Sequence, residues 1–393
     1  MQKTLAIKIN TENGIDTNLI FLKKKLDICK RLLITNIFFP PFGGGGAVYN
    51  RETMDEYVKN GYEVDFVGYT TLSSKKYNIH KTLKTNNPLF FSILSYFKYL
   101  KLRKSKKYSF IIGNHISLLI YLLFKNSNEK YIMICHNTYL QRYENKKDDF
   151  FYRLIYPFFI YLEKIIFKKS DMVITISKTT LNAIKAQSNI NKLYLIENGV
   201  DLKKFYSKGS IKINKIFNFL YVGRIEEMKR VLETVKIFES FLQNNRSVGI
   251  KLTIVGDGSK FNEIEKYVES KNLNKNIILT GRVDDPTTYY HKADCLILLS
   301  KGEGLPLVLL EAVASGLSLI ITKNASGGSN ALIKNNFNGF VVKDSLDSDF
   351  NSLFNLVIKN RLEFRRNSLS LRDNLSWSNK IEGMVNLLNK IKK

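Results

Sequence analysis

Two glutamates, Glu303 and Glu311, stand eight positions apart in the segment SKGEGLPLVLLEAVASGLSLIIT, residues 300–322. Pro306 suits a first helical position and Gly316 a stop, so a helix is predicted to begin near Leu305. Free backbone N–H groups at such an end attract phosphate. Glu303 lies in the loop before that end, and Glu311 lies more than a turn inside. At ~1.5 Å of rise per helical residue, plus the loop, the carboxylates would stand roughly 10 Å apart. That span suits a nucleotide sugar, with one carboxylate on sugar hydroxyls, the other on ribose hydroxyls and the diphosphate between them. An acidic loop followed by a half-exposed helical Glu fits the spacing equally well.

Other residues could join this chemistry. Arg224 ends YVGR, and Lys229 follows five residues later where a helix opens. A forked Arg and a mobile Lys charge would clamp a diphosphate and stabilise it as a glycosidic bond breaks. In so basic a chain, surface decoration explains the same pair. Gly43 to Gly46, four glycines between a strand and a helix, would let backbone N–H groups cradle an anion, or would form a flexible loop. They match neither a Walker motif nor a GxGxxG fingerprint. Gly256-Asp257-Gly258 is half such a fingerprint and, taken alone, a turn. His136 follows the strand YIMIC, where an imidazole could position a substrate or polarise a donor. A lone His is more often structural. His115, one strand earlier, has the weaker claim. Asp347-Ser348-Asp349 spells a DxD that can hold a divalent metal, but it opens a helix, where Asp is favoured as a cap.

The elements that would carry these residues form two series. From Arg31 the pattern runs strand, loop, helix: RLLITNIFF, then PPFGGGGAVYN, then a helix through Val58. GYEVDFVGY, YSFIIGN, YIMIC, DMVITIS and KLYLIEN follow, alternating with helical segments. After a polar linker, Lys203 to Lys215, come FNFLYVG, GIKLTIVG, NIILTG, DCLILLS, LSLIIT and GFVV. Strand–helix alternation of this kind predicts an α/β protein with two Rossmann-like, doubly wound parallel-sheet domains facing a cleft, with ligands at the carboxyl ends of the strands. The expected division is an extension of unassigned role at 1–30, an acceptor domain at 31–205 and a donor domain at 206–375. A helix at 376–393 would return to the first domain.

Bulk composition narrows the class. The 393 residues exceed one ordinary core. Sixty-one Lys and Arg against 35 Asp and Glu give a net charge of +26. Such charge favours a phosphate-bearing partner or an anionic membrane. Three cysteines, Cys29, Cys135 and Cys295, lie far apart with no CxxC pair, which argues for a reducing compartment and against zinc. The N-terminus lacks a signal-peptide layout and no apolar run approaches the roughly 18 residues of a membrane span, so a cytoplasmic location is expected. The segment Pro88 to Lys107 puts apolar residues at Phe90, Leu94, Phe97 and Leu100 and ends in basic residues. It could lie on anionic lipid at the cytoplasmic face of the inner membrane, or cover the first sheet. The run FFYRLIYPFFIYLEKIIF reads as core, with Phe158 and Phe159 able to reach lipid.

Taken in order, the Gly-rich loop, the strand ending at His136, DMVITISKTT, IENGVDLKKF, YVGRIEEMK, IVGDGS, LTGRVDDPTTYYHKADCLILLS, EGLPLVLLEAVASG and NNFNGFVV form a specific series. The chain resembles the retaining GT-B glycosyltransferases of glycosyltransferase family 4 from Arg31 onward. The resemblance implies that Arg224 and Lys229 grip a donor diphosphate, Glu303 meets the donor sugar and Glu311 the ribose. Backbone N–H groups of Gly304, Leu305, Pro306 and Leu307 would serve the distal phosphate or sugar, except at Pro306, which has none. Arg282 and Val283 would meet the base, Gly44 and Gly45 the phosphates and acceptor, and His136 the reacting sugar. It also implies no metal, no resident cofactor and a UDP- or GDP-linked donor. The acceptor would be a glycan of the cell envelope, lipid-linked or of capsule, O-antigen or lipopolysaccharide type. Two departures stand out: Ala331 replaces the usual glutamate after the glycine pair, and Arg230 replaces a common glycine after the lysine. The alternatives are a GT-B nucleotide-sugar 2-epimerase and a basic nucleic-acid-binding protein. The latter has only the charge in its favour, with no recognition helix or RNA-binding aromatic motif.

Overall fold

The computed structural model describes residues 30–39, 44–144, 150–205, 216–245, 249–328 and 331–391. The N-terminal extension through residue 29, Gly43 and most of the expected linker lie outside them. Two parallel sheets carry the chain. The first has seven strands: β1 (Arg31–Phe38), β2 (Glu63–Tyr69), β3 (Asn78–Lys81), β4 (Phe110–Asn114), β5 (Lys130–Cys135), β6 (Met172–Thr175) and β7 (Leu193–Leu195), in the order β3-β2-β1-β4-β5-β6-β7. The second has six: β8 (Phe217–Val222), β9 (Ile250–Val255), β10 (Ile277–Leu279), β11 (Cys295–Leu298), β12 (Ser318–Thr322) and β13 (Gly339–Val342), in the order β10-β9-β8-β11-β12-β13. Helices cover both faces, so the central strands are buried on both sides and read as continuous apolar runs. Leu32, Leu33 and Ile34 in β1 and Cys295 to Leu298 in β11 are buried throughout.

In each sheet the order reverses beside the first strand, between β1 and β4 and between β8 and β11. Connections diverge there and leave a crevice beyond the strand ends, where ligands bind in such sheets. The chain that crosses between the halves is pinned twice. Val200 bridges Ser376, and the Val200 N–H donates to the Leu375 carbonyl at 2.8 Å. Gly199 explains the closeness of this crossing, since a Cβ there would stand 2.6 Å from the Trp377 Cα. From Trp377 the helix Trp377–Ile391 lies against the helix Gly44–Lys59 of the first half. Trp377 meets the Tyr49 ring edge-on at 5.6 Å, and Lys380 pairs with Glu197 at 3.2 Å.

Two local expectations are corrected, and a third segment left open between two roles is described. The glycine run was expected as a loop, yet the helix Gly44–Lys59 already begins at Gly44. Pro306 was expected as a first helical residue, but its backbone is extended (ψ 129) and it caps the helix Leu307–Ala314. The helix Pro88–Leu102 buries Phe91, Ser92, Ser95 and Tyr99, and leaves Phe90 and Phe97 exposed. One face of this helix thus covers the first half while Phe90 and Phe97 point outward, a combination of the two roles open to the segment.

Candidate active site

A cavity of about 1090 Å³ is lined by strand ends from both sheets. The first half contributes Asn36 to Phe38 at the carboxyl end of β1, Asn114 and His115 at the end of β4, and His136 and Asn137 after β5. The second contributes Gly223 and Arg224 after β8, Gly256 to Gly258 after β9, Arg282 and Val283 after β10, and Glu303 to Val308 after β11. The wall thus gathers Arg224, Lys229, Glu303, His136, Gly45, Gly256, Arg282, Val283 and Gly304 to Leu307. Glu311 does not line it. Gly44 opens its helix, and the Glu311 carboxylate accepts the Tyr290 hydroxyl at 2.6 Å. Burial pushes the Glu311 carboxyl up to about 7.

Lys229 and Glu303 form an ion pair on this wall, with side-chain exposures of 19% and 14%. Lys229 ends the short turn Glu227–Lys229, and Arg230 follows in a left-handed conformation, φ 52. Glycine enters that region at no steric cost, whereas a Cβ makes it unfavourable. Arg230 holds it by donating from Nη1 to the Asp344 carbonyl, while its own carbonyl accepts the Thr234 N–H at 3.0 Å. The departure from glycine is thereby accommodated without moving Lys229 off the cavity. Arg224 lies further out, 69% exposed, and pairs with Glu226 at 2.6 Å. An exposed pair of that kind is worth little and yields readily to a ligand.

The loop before the helix Leu307–Ala314 passes directly against the first half. A Cβ on Gly304 would stand 2.6 Å from the His136 carbonyl, so only glycine allows this approach. Asn198, buried, donates from Nδ2 to the Leu305 carbonyl at 2.7 Å, and the Thr179 hydroxyl donates to the Gly327 carbonyl at 3.2 Å. His136 packs edge-on to Tyr49 at 4.9 Å, and its Nε2 is 3.4 Å from Asn114 Nδ2. Burial lowers His136 to about 3, so its imidazole is neutral near pH 7. Asp349 caps the helix Phe350–Lys359 by accepting the Ser352 N–H at 3.1 Å. The DxD is used as a cap, and its aspartates are absent from the cavity wall. Ala331 is exposed and also off that wall.

Sequence reasoning missed several wall residues. Asn198 sits in the NGVD stretch, and its position one residue before the Gly199 crossing was the available signal. Asn137, Tyr139 and Arg142 follow β5 and its loop, and nothing local in QRYEN marks Arg142 as a cleft residue. His115, given the weaker claim of the two histidines, also lines the cavity.

Family models match both halves. "Glycosyltransferase Family 4" covers residues 43–204 and "Glycosyl transferases group 1" covers residues 203–371. Among curated relatives, the chain is 32% identical over 173 residues to the UDP-Gal:alpha-D-GlcNAc-diphosphoundecaprenol alpha-1,3-galactosyltransferase of Escherichia coli, covering 41% of this chain and 44% of that protein. It is 22% identical over 294 residues to an N-acetylgalactosaminyltransferase of Campylobacter jejuni whose name specifies a diphospho-undecaprenol substrate, covering 71% and 77%. The matches span 40 to 61% of the length of the first three curated relatives. Among solved structures, sucrose-phosphate synthase of Thermosynechococcus elongatus superposes with a TM-score of 0.77 at 19% identity, covering 92% of this chain and 98% of that one. Anabaena HepE in complex with UDP gives 0.72 at 14% identity, covering 92% and 100%. These likenesses bear on the fold.

Proposed function

We infer that this chain, which belongs to the GT-B glycosyltransferases of family 4, transfers a sugar from a nucleoside diphosphate to a hydroxyl of a cell-envelope glycan. The observation that carries this reading is the Lys229–Glu303 pair on a wall shared by both halves, beside Arg224 and the start of the helix Leu307–Ala314. A donor diphosphate offers Lys229 and Arg224 a stronger partner than either glutamate and meets free N–H groups at the helix start. Glu303, released from Lys229, accepts hydroxyls of the donor sugar. As the glycosidic bond breaks, negative charge grows on the leaving diphosphate, and the two cations stabilise it. They supply the charge that a metal would otherwise bring, so the reaction runs without one. His136 stays neutral and can orient a sugar hydroxyl or carbonyl by hydrogen bonding, without acting as a cation. Attack from the face the diphosphate leaves retains the anomeric configuration, and no carboxylate need act as a nucleophile.

UDP is the first choice of carrier and a lipid-linked diphosphate glycan the first choice of acceptor. The Escherichia coli relative's name supports both, and the UDP complex of HepE supports the former. No helix among the described residues is long and apolar enough to cross a membrane. The exposed Phe90, Ile93 and Phe97 beside Lys98 and Lys101 support docking on the anionic cytoplasmic face of a membrane. The matched family models favour transfer over the epimerase alternative. The test incubates the chain with UDP-, GDP-, ADP- and CMP-sugars and an undecaprenyl-diphosphate-linked sugar, with a chelator present, and follows products by mass spectrometry and anomeric NMR. A lipid-linked product of retained configuration is expected. Epimerised nucleotide sugar with no transfer, or strict dependence on added metal, would overturn the respective claim.

A further inference from the structure

The first half of the cavity carries a charged group that the donor chemistry leaves unused. Arg142 lines the wall, lies over the Tyr139 ring at 5.1 Å, and brings Nη2 to 3.5 Å from His115 Nε2. No carboxylate among the described residues pairs with it. His115 is held in place by two constraints. Its backbone is left-handed, φ 48, a conformation that is costly for a residue with a Cβ and that tends to persist at functional sites. Its Nδ1 lies 2.9 Å from Oε1 of Glu163, a carboxyl with no exposed surface. Glu163 Oε2 in turn accepts the Tyr139 N–H at 2.9 Å, tying the carboxyl to the helix Tyr139–Glu144 that carries Arg142.

Burial pushes Glu163 up to about 8 and His115 well down. Near neutrality the carboxyl keeps its proton and offers it to Nδ1, so Nε2 bears the ring hydrogen. An imidazole N–H and a guanidinium N–H then face each other, and among the described residues no acceptor lies between them to take the hydrogen bond each is able to make. Cys135 Sγ also lies within 4.8 Å of ligand atoms of His115 and Glu163. Burial pushes that thiol up, and Arg142 adds a positive charge, so the cluster favours an anion over a metal cation.

We propose that Arg142 and His115 form an oxyanion subsite on the first half of the cleft, which takes a phosphate or carboxylate oxygen of the acceptor close to the hydroxyl that reacts. Calling the ligand an acceptor rests on the glycosyltransferase reading; the oxyanion site does not. Glu163 acts as a positioning residue through His115.

The test titrates inorganic phosphate, and separately glucuronate, into the wild-type chain, Arg142→Gln, Arg224→Gln and Glu163→Gln, each followed by UDP. Arg142→Gln is expected to weaken oxyanion binding about tenfold at one site while UDP affinity stays within about twofold of wild type. Arg224→Gln should keep that site and lose UDP affinity. Glu163→Gln should keep the site too, because its amide donates to Nδ1 as the protonated carboxyl does. Whichever anion loses more affinity in Arg142→Gln identifies the acceptor group. Equal oxyanion binding in wild type and Arg142→Gln, loss in Arg224→Gln alone, or no oxyanion binding by the wild-type chain would overturn the subsite. An Arg142-dependent oxyanion site in a chain that ignores UDP would support the subsite and overturn the transfer reading.

Discussion

The two halves share a strand order but meet the cleft with opposite habits. In the second half the cleft charges are held by neighbours, Lys229 by Glu303 and Arg224 by Glu226. Its surface is orderly as well, for among the described residues only Ile278 and Leu356 are exposed large apolar side chains there. The first half presents a neutral His136 and an Arg142 that faces an imidazole, and it exposes Phe90, Phe97, Phe150, Leu154 and Phe158. One half has a grip complete in its own side chains. The other is left to be completed by what it binds.

The sharpest way to break this contrast is to remove the grip. Glu303→Gln should cut turnover about 10²–10³-fold, since an interaction developed at the reacting sugar is lost. Arg224→Ala should instead weaken donor binding about tenfold, read by titration with UDP. Near-wild-type rates in Glu303→Gln would mean the pair is structural and the second half no more self-sufficient than the first.

A smaller effect tests the surface. Phe90→Ser with Phe97→Ser should reduce partition onto anionic vesicles roughly five- to tenfold, at about 1 kcal/mol for the two half-buried rings, whereas Ile278→Ser should change nothing. Added salt should weaken wild-type binding as well. Equal partition of all three proteins would remove the asymmetry as a membrane argument.

The smallest expected effect concerns the buried carboxyl. Glu163 is raised from its ordinary 4.5 to about 8 by burial, so the native state binds its proton more tightly than the unfolded chain does. Its cost is absent below about 4.5 and grows as pH climbs toward 8. The Tm of Glu163→Gln relative to wild type should therefore rise from pH 5 to pH 8. A difference that is constant across that range would show the carboxyl to be ionised throughout.

How much of this was legible depends on whether the signal was local. Strands such as YIMIC and CLILL are buried on both faces, so their apolar runs disclose them without partners. The edge strand β3 was missed because NIHK has one apolar residue and no buried one. Arg224, Lys229 and Glu303 each follow a strand of a doubly wound sheet, where the topology alone predicts a ligand. Arg142 has no such marker, because its place in the cleft depends on the buried Glu163 24 residues after Tyr139. The choice between the two roles of the helix Pro88–Leu102 stayed open for a related reason. A helix whose two faces are both apolar does not say from its spacing which one the sheet will cover.

The double crossing at Val200 and Ser376 sets the mechanics of the whole molecule. Two lengths of backbone pass side by side between the halves, bridged to each other and wedged by Trp377 against Gly199. A single tether would let one half slide or swivel freely over the other. A paired one resists shear and would leave only a swing about one line, which keeps Gly304 in register with His136.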